Sequence, residues 1–372
     1  MIKQASSAAL AASLILGLGA NAQAEDYNSS LRPLEFKQSN LVCNLPGLAT
    51  TNDPLLANPW GVAFQPTGAF WISDKQTGFT TLYSGTGVKV NMNFTIPPGA
   101  ASTGVGQPTG IVANSTKAFL VPGTTLPAAF IFATLDGTIS AWAPNLPVRP
   151  TNAVLAVDKS NIHGAYTGMD FGITGKGGFL YAANVNTASI DVFDTTFKPA
   201  GNLITGKFAD PEIPYGFAPF NVRNIDGDLF VTYAKQNATK SFVTTGAGLG
   251  FVNVFDTNGN LIRRVVSGSF MNAPWGVARA PETFGALAGS VLIGNFGDGH
   301  IFSLDGLSPV KVMLSADGTP VTLPGLWTLD FGGGQTSSPD TLFFTTNLGS
   351  SQKGLFGSFT PVQPVSGGHS AE

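Results

Sequence analysis

The side chains that usually carry acid–base or zinc chemistry are few in this sequence, and they are scattered. Its 372 residues contain three histidines (His163, His300 and His369) and a single cysteine, Cys43. Protein zinc sites place His and Cys at short fixed spacings, and none of those spacings occurs here. Gly-x-Ser-x-Gly, the turn that holds a serine nucleophile, is also missing from the sequence. Chemistry would therefore depend on oxygen-bearing side chains.

Asp and Asn recur where apolar segments end. These oxygen donors suit Ca²⁺ or another divalent metal ion, and they form one candidate metal set: Asp74, Asn184, Asn295 and Asn347. Asp74 and Asp298 are the candidate general bases. Asp and Asn also end strands for a structural reason, because they accept hydrogen bonds from turns and tolerate positive φ. No cofactor is certain from this pattern, and both interpretations stay open.

A phrase that repeats along the chain indicates which elements position these residues. Residues 59–63, Pro-Trp-Gly-Val-Ala, return at 274–278, and weaker copies follow the same pattern between and after them. The second residues of the copies are at positions 60, 109, 167, 220, 275 and 327. Units of about 50 residues are typical of β-propeller blades. The sequence therefore predicts an all-β, six-bladed propeller of four-stranded antiparallel blades, with five or seven blades as alternatives.

Each unit contains apolar and alternating segments that read as strands. Ala69-Phe70-Trp71-Ile72-Ser73-Asp74 is one second strand, and Ser189-Ile190-Asp191-Val192-Phe193 is one third strand. Period-two alternation with β-branched and aromatic residues is typical of half-buried strands. The last unit ends with three strands, near Pro361. We expect the segment from Phe36 to Leu45, which contains Cys43, to close the ring as its fourth strand.

Composition and the first residues indicate a compartment. Charged residues are 11% of the chain and the net charge is −3, which argues against nucleic-acid binding because phosphates require clustered Lys and Arg. Residues 1–24 have the basic start, apolar stretch and Ala-x-Ala end of a signal peptide. We expect an exported protein, periplasmic or extracellular, with a signal peptide at 1–24, a propeller at 25–361 and a flexible tail at 362–372. No later segment is apolar enough for a transmembrane helix.

In a propeller, the starts of the innermost strands and the ends of the second strands converge on one mouth of the central channel. Polar groups and Trp rings gathered there are typical of a ligand pocket. Five residues at these places are the candidate ligand contacts: Trp60, Asn221, Lys235, Trp275 and Trp327. The long connection 236–250 leaves the second strand of the fourth unit, so we expect it to lie over this mouth.

Several phrases resemble an uncharacterised family of exported bacterial propeller proteins, some of which carry a PEP-CTERM sorting tail. They include Asn58-Pro59-Trp60-Gly61 and Gly294-Asn295-Phe296-Gly297-Asp298-Gly299, and the resemblance runs from about residue 40 to 359. This family is distantly similar to NHL-repeat and gluconolactonase-type propellers. The resemblance implies a fold and export but no reaction. Gluconolactonase-type enzymes hold a divalent ion with Glu, Asn and Asp, and this chain has no Glu at the corresponding places.

Two functions follow as hypotheses. In the first, the propeller binds a small molecule, a glycan or an envelope protein at the channel mouth. In the alternative, it is a metal-assisted hydrolase or lyase that acts on a lactone, ester or sugar acid, with a bound ion polarising a carbonyl. Metal content distinguishes the two.

Overall fold

The computed structural model describes residues 35–147, 151–162, 164–304, 310–335 and 337–362. The predicted signal peptide, His163 and the predicted tail beyond Val362 lie outside the described residues. Within the described part of the chain, no helix is long and apolar enough to cross a membrane.

The first half of the chain forms an N-terminal strand pair and three blades. The N-terminal strands are β1 (Glu35–Cys43) and β2 (Thr51–Asn52). Blade 1 contains β3 (Pro59–Ala63), β4 (Phe70–Asp74), β5 (Phe79–Tyr83) and β6 (Lys89–Thr95). Blade 2 contains β7 (Pro108–Ala113), β8 (Phe130–Thr134), β9 (Thr138–Trp142) and β10 (Val154–Asp158), followed by a 3₁₀ turn at Ser160–Ile162. Blade 3 contains β11 (Tyr166–Thr174), β12 (Gly177–Asn184) and β13 (Ser189–Phe193).

The second half forms three more blades. Blade 4 contains β14 (Phe217–Ile225), β15 (Asp228–Gln236), β16 (Val243–Thr244), β17 (Gly250–Phe255) and β18 (Leu261–Ser267). Blade 5 contains β19 (Pro274–Arg279), a 3₁₀ turn at Gly285–Leu287, β20 (Val291–Asn295), β21 (Ile301–Leu304) and β22 (Lys311–Val312). Blade 6 follows with β23 (Leu314–Ser315), β24 (Leu326–Phe331), β25 (Leu342–Thr346) and β26 (Leu355–Pro361).

These sheets make a six-bladed β-propeller, as the repeat predicts. The long strands of each blade pair antiparallel with their neighbours, with β16 as a short addition beside β15. The two-residue strands β2 and β23 pair parallel with β1 at the outer side of blade 6. Blade 3 has three strands among the described residues, and a single bridge between Phe193 and Pro199 stands where the fourth strand lies in the other blades.

The N-terminal strand closes the ring. β1 pairs antiparallel with β26, from Phe36 opposite Pro361 to Cys43 opposite Leu355. Blade 6 is thus built from both ends of the described chain, and its edge is covered rather than open. Cys43 is fully buried and free, as expected for a residue of the closing strand.

The innermost strands, β3, β7, β11, β14, β19 and β24, surround the channel at close range. At Gly61 an added Cβ would lie 2.5 Å from the carbonyl oxygen of Thr109 in the next blade. The hydroxyl of Thr109 in turn donates to the carbonyl of Tyr166, at 2.7 Å. Glycine in the repeated phrase therefore lets neighbouring innermost strands approach each other.

Candidate functional site

An aromatic cluster fills the channel at the mouth where the chain begins each innermost strand. Six rings, here called the aromatic plug, form it: Trp60, Phe220, Phe242, Trp275, Phe296 and Trp327. Trp60 and Trp327 stack with their ring centroids 3.6 Å apart. Phe296 also stacks on Trp327, with a centroid distance of 4.2 Å. The three indoles are 1–5% exposed. The tryptophans predicted to contact a ligand thus lie inside the channel.

Hydrogen bonds hold two of these indoles in place. Nε1 of Trp275 donates to the carbonyl of Thr167 at 2.9 Å, and Nε1 of Trp327 donates to Oδ1 of Asn58 at 3.2 Å. Nε1 of Trp60 is buried and has no hydrogen-bond partner among the described residues. Asn221, also predicted to bind ligand, donates through Nδ2 to the carbonyl of Trp275 at 2.9 Å, so it supports the plug.

The connection after β15 covers this plug. Its first part, residues 237–242, is here called the cap. Oδ1 of Asn237 accepts hydrogen bonds from the amides of Ser241 and Phe242, and β16 then pairs back onto β15. The ring of Phe242 reaches down to Trp60 and Trp327, with centroid distances of 5.9 and 6.2 Å. The connection predicted to lie over the mouth does so, and Phe242 belongs to the plug.

Two cavities flank the cap, and Asn186 lines both. The first, here called the tyrosine groove, has a volume of about 380 Å³ and is lined by the segment 208–217 together with Lys240 and Gln236. The second, here called the serine groove, has a volume of about 410 Å³ and is lined by Ser102, Asp136, Ser160, Thr239 and Ser241 among others. Both volumes lie in the range of small-molecule sites.

Aromatic rings and lysines line the tyrosine groove. Tyr215 is 90% exposed, which is unusual for a large ring in a chain that buries most of its aromatic residues. Nζ of Lys240 lies 6.0 Å from the centre of the Tyr215 ring, and Nζ of Lys235 lies 5.1 Å from that of Phe217. Lys235 also donates to the carbonyl of Tyr215 at 3.1 Å. The predicted ligand residue Lys235 therefore lies directly behind this wall.

Backbone-binding polar groups line the serine groove. The carboxylate of Asp136 accepts hydrogen bonds from the amides of Gly99 and Gln107 and from the hydroxyl of Ser102, at 2.9–3.0 Å. Burial lowers the pKa of nearby Lys75, and the charge of Asp136 partly opposes this shift. Asp136 thus holds the connection between β6 and β7 at the groove wall through three of its residues.

The structure places each of the four predicted metal ligands at the end of a second strand, each in a different blade. Oδ1 of Asn184 accepts from the amide of Ala165 and its Nδ2 donates to Asp191. Nδ2 of Asn295 donates to the carbonyl of Phe270 at 2.8 Å. Oδ1 of Asn347 accepts from the amide of Gly349 at 2.9 Å. These amides form hydrogen bonds at the turns of their own blades, and a metal bound by them jointly stays a prediction.

The two candidate general bases have different surroundings. Asp74 is fully buried; its Oδ2 accepts from the hydroxyl of Thr81 at 2.7 Å, and its Oδ1 has no described partner. Burial raises the pKa of Asp74 well above its ordinary value. Asp298 is half-buried and accepts from the amide of His300 at 3.1 Å. Within the described ranges, no group of three or more His, Cys, Asp and Glu side chains is arranged to hold a metal ion.

A charged cluster that sequence reasoning missed lies at the opposite end of the channel. Nη2 of Arg223 donates to Oδ1 of Asp330 at 2.8 Å, and Nε of Arg223 lies 4.0 Å from Oδ2 of Asp170. These three side chains come from blades 4, 6 and 3 and line a cavity of about 310 Å³. Burial raises the pKa of Asp170, an effect that the charge of Arg223 partly opposes.

A signal for this cluster is present in the repeat. The residue three places after the second residue of the phrase is apolar in the other three blades: Ala63 within β3, Val112 within β7 and Ala278 within β19. Aligning the six copies column by column shows that charge enters this column only in the third, fourth and sixth copies.

These features define the class of protein: a six-bladed β-propeller with an aromatic plug and two grooves at one mouth. The chain is 31% identical over 344 residues to uncharacterized protein R648 of Acanthamoeba polyphaga mimivirus, covering 89% of this chain and 81% of that protein. Uncharacterized protein L690 of the same virus is 29% identical over 300 residues, which are 78% of this chain and 77% of that protein. The chain belongs to the family of protein R648. No family model matches it.

Solved propellers agree in fold. Virginiamycin B lyase from Staphylococcus aureus superposes with a TM-score of 0.51 at 11% identity, covering 88% of this chain and 99% of that chain. The PQQ-bound aldose sugar dehydrogenase from Streptomyces coelicolor gives a TM-score of 0.50 at 15% identity, with the same coverage. At such identities the likeness shows the fold alone. The relatives found by sequence are viral proteins, so the resemblance to exported bacterial proteins stays a prediction.

Proposed function

We propose that the protein binds a small molecule or glycan at the capped mouth of the channel and does not transform it. The proposal rests on one observation, the arrangement of the aromatic plug, the cap and the two cavities at this mouth. The aromatic plug closes the channel, and the cap seated on it leaves two cavities of about 380 and 410 Å³ open at the surface. Concave sites with aromatic walls and a few polar groups are the usual form of ligand pockets.

The hydrogen bonds of the mouth residues support binding over catalysis. Asp136, Asn184 and Asn295 use their polar atoms to hold turns and loop segments, so their replacement would alter the fold before any chemistry. The raised pKa of Asp74 belongs to a side chain that is fully buried in its blade. The metal-assisted alternative is therefore less well supported by this geometry.

A screen of sugars, sugar acids and small aromatic compounds, read by ligand-observed NMR and thermal shift, tests the proposal. We expect at least one class to bind, and the binding to weaken in the variants Tyr215→Ala and Asn186→Ala. Met92→Ala is the matched control, because Met92 is also half or more exposed but lies on β6 at the outside of blade 1. Binding that survives both mouth substitutions would place the site elsewhere and overturn the proposal.

Export adds a second expectation. If residues 1–24 are removed as a signal peptide, the mouth meets ligands outside the cytoplasm. N-terminal sequencing of the protein recovered from the expressing cell tests this, and an intact Met1 in the mature protein would contradict it.

A further inference from the structure

The tyrosine groove combines features that select one kind of ligand. Its wall presents the face of Tyr215, together with Pro211, Pro214 and Phe217. Flat rings pack on such walls, because aromatic faces favour offset-stacked or edge-to-face contact with another ring. The wall alone would suit any molecule with a flat or apolar face.

The charges near the groove indicate which class of ligand it favours. Lys240 and Asp210 line the groove, and Lys235, Arg264 and Glu212 lie next to its lining residues, which makes three cations and two carboxylates. This local excess of positive charge is opposite in sign to the net charge of the whole chain, −3. A positive patch on an acidic protein attracts anions and raises their local concentration.

The two neighbouring carboxylates are already engaged. The guanidinium of Arg264 pairs with Asp210 at 2.5 Å and with Glu212 at 3.3 Å. Nδ2 of Asn253 also donates to Asp210, at 2.9 Å. Arg264 thus binds both carboxylates and offsets one of their two charges, and Lys235 and Lys240 make the sum over these five side chains positive.

The lysines themselves have no carboxylate partner. Among the described residues, no carboxylate oxygen lies within salt-bridge distance of Nζ of Lys235 or Lys240. Such a partner is present for each of Lys89, Lys159, Arg223, Arg264 and Arg279. Lys240 lies on the cap in the left-handed region, with φ of 57°, and its ammonium extends over the Tyr215 ring at the opening of the groove. An ammonium beside an aromatic face can bind a carboxylate while the ring of the same ligand packs on the tyrosine.

We infer that the tyrosine groove binds a ring compound that carries a carboxylate, with its ring on Tyr215 and its carboxylate on Lys240. This inference rests on the proposed function and names the ligand class for one of its two cavities. The carboxylate forms a charge-assisted hydrogen bond that its neutral counterpart lacks. Because Lys240 is exposed to solvent, we expect the acid to bind about two- to fivefold more tightly than that counterpart. The ring can come from an aromatic acid or from a sugar acid.

Matched pairs of ligands test the inference by calorimetry. The aromatic pair is 4-hydroxybenzoate and 4-hydroxybenzamide, and the sugar pair is glucuronate and glucose. We expect the acid of one pair to bind about two- to fivefold more tightly than its neutral partner, and its binding to weaken as salt is added. The pair that shows this difference identifies the source of the ring.

Lys240→Met separates charge from shape. In this variant we expect the acid to bind only as tightly as its neutral partner. Lys176→Met is the control, because Lys176 is an exposed lysine in the hairpin between β11 and β12 at the opposite face of the ring. Equal binding of acid and neutral partner, or an acid that binds Lys240→Met normally, would overturn the inference and leave the proposed function standing. If none of the four compounds binds and Tyr215→Ala is silent in the wider screen, the inference falls together with the proposed function at this groove.

Discussion

Trp60 and Trp327 stack on each other with an interplanar angle of 19°, across the junction where the first and last blades of the ring meet. The contact is supported by the hydroxyls of Thr328 and Thr345, which both donate to the carbonyl of Trp60, at 2.8 and 2.6 Å. The aromatic plug therefore spans the ring closure as well as the channel. The fluorescence of these indoles therefore reports on the ring closure and on the channel.

Replacing Phe242 with Ala should open the plug to water. The ring of Phe242 lies over Trp60 and Trp327, and removing it uncovers indoles that are only 1% exposed. We expect a red shift of tryptophan emission, faster quenching by acrylamide, and a loss of about 1–3 kcal/mol of stability, since the ring is only half-buried. The measurement is steady-state fluorescence with a urea titration.

Phe64→Ala is the control for that variant. Phe64 is also half-buried, but it packs on Phe70 and lines the cavity at the opposite end of the channel. It should lose similar stability with little change in quenching. Equal quenching in both variants would mean that the cap does not shield the indoles.

Asp74→Asn should stabilise the protein at neutral pH. Burial raises the pKa of Asp74, so folding favours its neutral form, and stability is lost as the pH rises through that raised pKa. Asn at this place cannot ionise, and it is the residue that ends the second strands of blades 3 and 5. We expect a gain of about 1–3 kcal/mol at pH 7 that shrinks toward pH 4, measured by thermal melting across that range.

Asp53→Asn, at a residue that contacts blade 1, should change stability in the opposite direction. Asp53 accepts from the hydroxyl of Tyr83 at 2.6 Å and pairs with Lys89 at 2.8 Å. Its negative charge therefore stabilises the fold through these two contacts. This variant should melt lower than the wild type at pH 7. If both substitutions destabilise at pH 7, the interpretation of Asp74 is wrong.

Arg223→Met should destabilise the ring most at neutral and alkaline pH. Without the guanidinium, Asp170 and Asp330 face each other across the channel with no compensating charge. We expect a loss of about 1–3 kcal/mol, less than for a fully buried pair because the Arg223 side chain is 31% exposed. The loss should shrink as the pH falls, because burial raises the pKa of Asp170 and its carboxylate then takes up a proton. Arg279→Met, which breaks an exposed pair with Asp226, should cost at most about 1 kcal/mol at any pH.

Phe36→Ala should weaken the ring closure. Phe36 is fully buried on β1 and stacks on Phe284 of blade 5, with a centroid distance of 4.6 Å. We expect a loss of about 3–5 kcal/mol by urea denaturation. Lys37→Ala on the same strand, whose side chain is exposed, should change stability little. A small effect of Phe36→Ala would show that closure depends on the backbone pairing alone.

The fold was predictable because the sequence pattern of a blade repeats six times along the chain. Pro59-Trp60-Gly61 and its copies mark the innermost strands, and the count of copies gives the count of blades. The position of β1 followed from the missing fourth strand of the last unit. Local patterns of this kind survive in a single sequence because each blade repeats the same packing.

The site was harder to predict because its residues break the repeat. Tyr215 lies in a connection between blades, and Arg223 becomes notable only when compared with Val112 and Ala278 at the same place. The Trp residues were correctly placed at the channel, but the sequence does not show that Phe242 would cover them. The sequence also does not show which polar side chains form hydrogen bonds within turns, because their partners are distant along the chain. Asn184, which accepts from the amide of Ala165, is an example.

The strand that seals the ring also sets an order of events during synthesis. Of the described strands, β1 is made first, and its partner β26 is made last. A growing chain therefore carries completed blades with both flanks of the ring unpaired until β26 has been made. Contacts between distant parts of a chain form slowly, so the pairing of β1 with β26 is a late step of assembly. Until then Cys43, which is shielded in the finished ring, is open to oxidation.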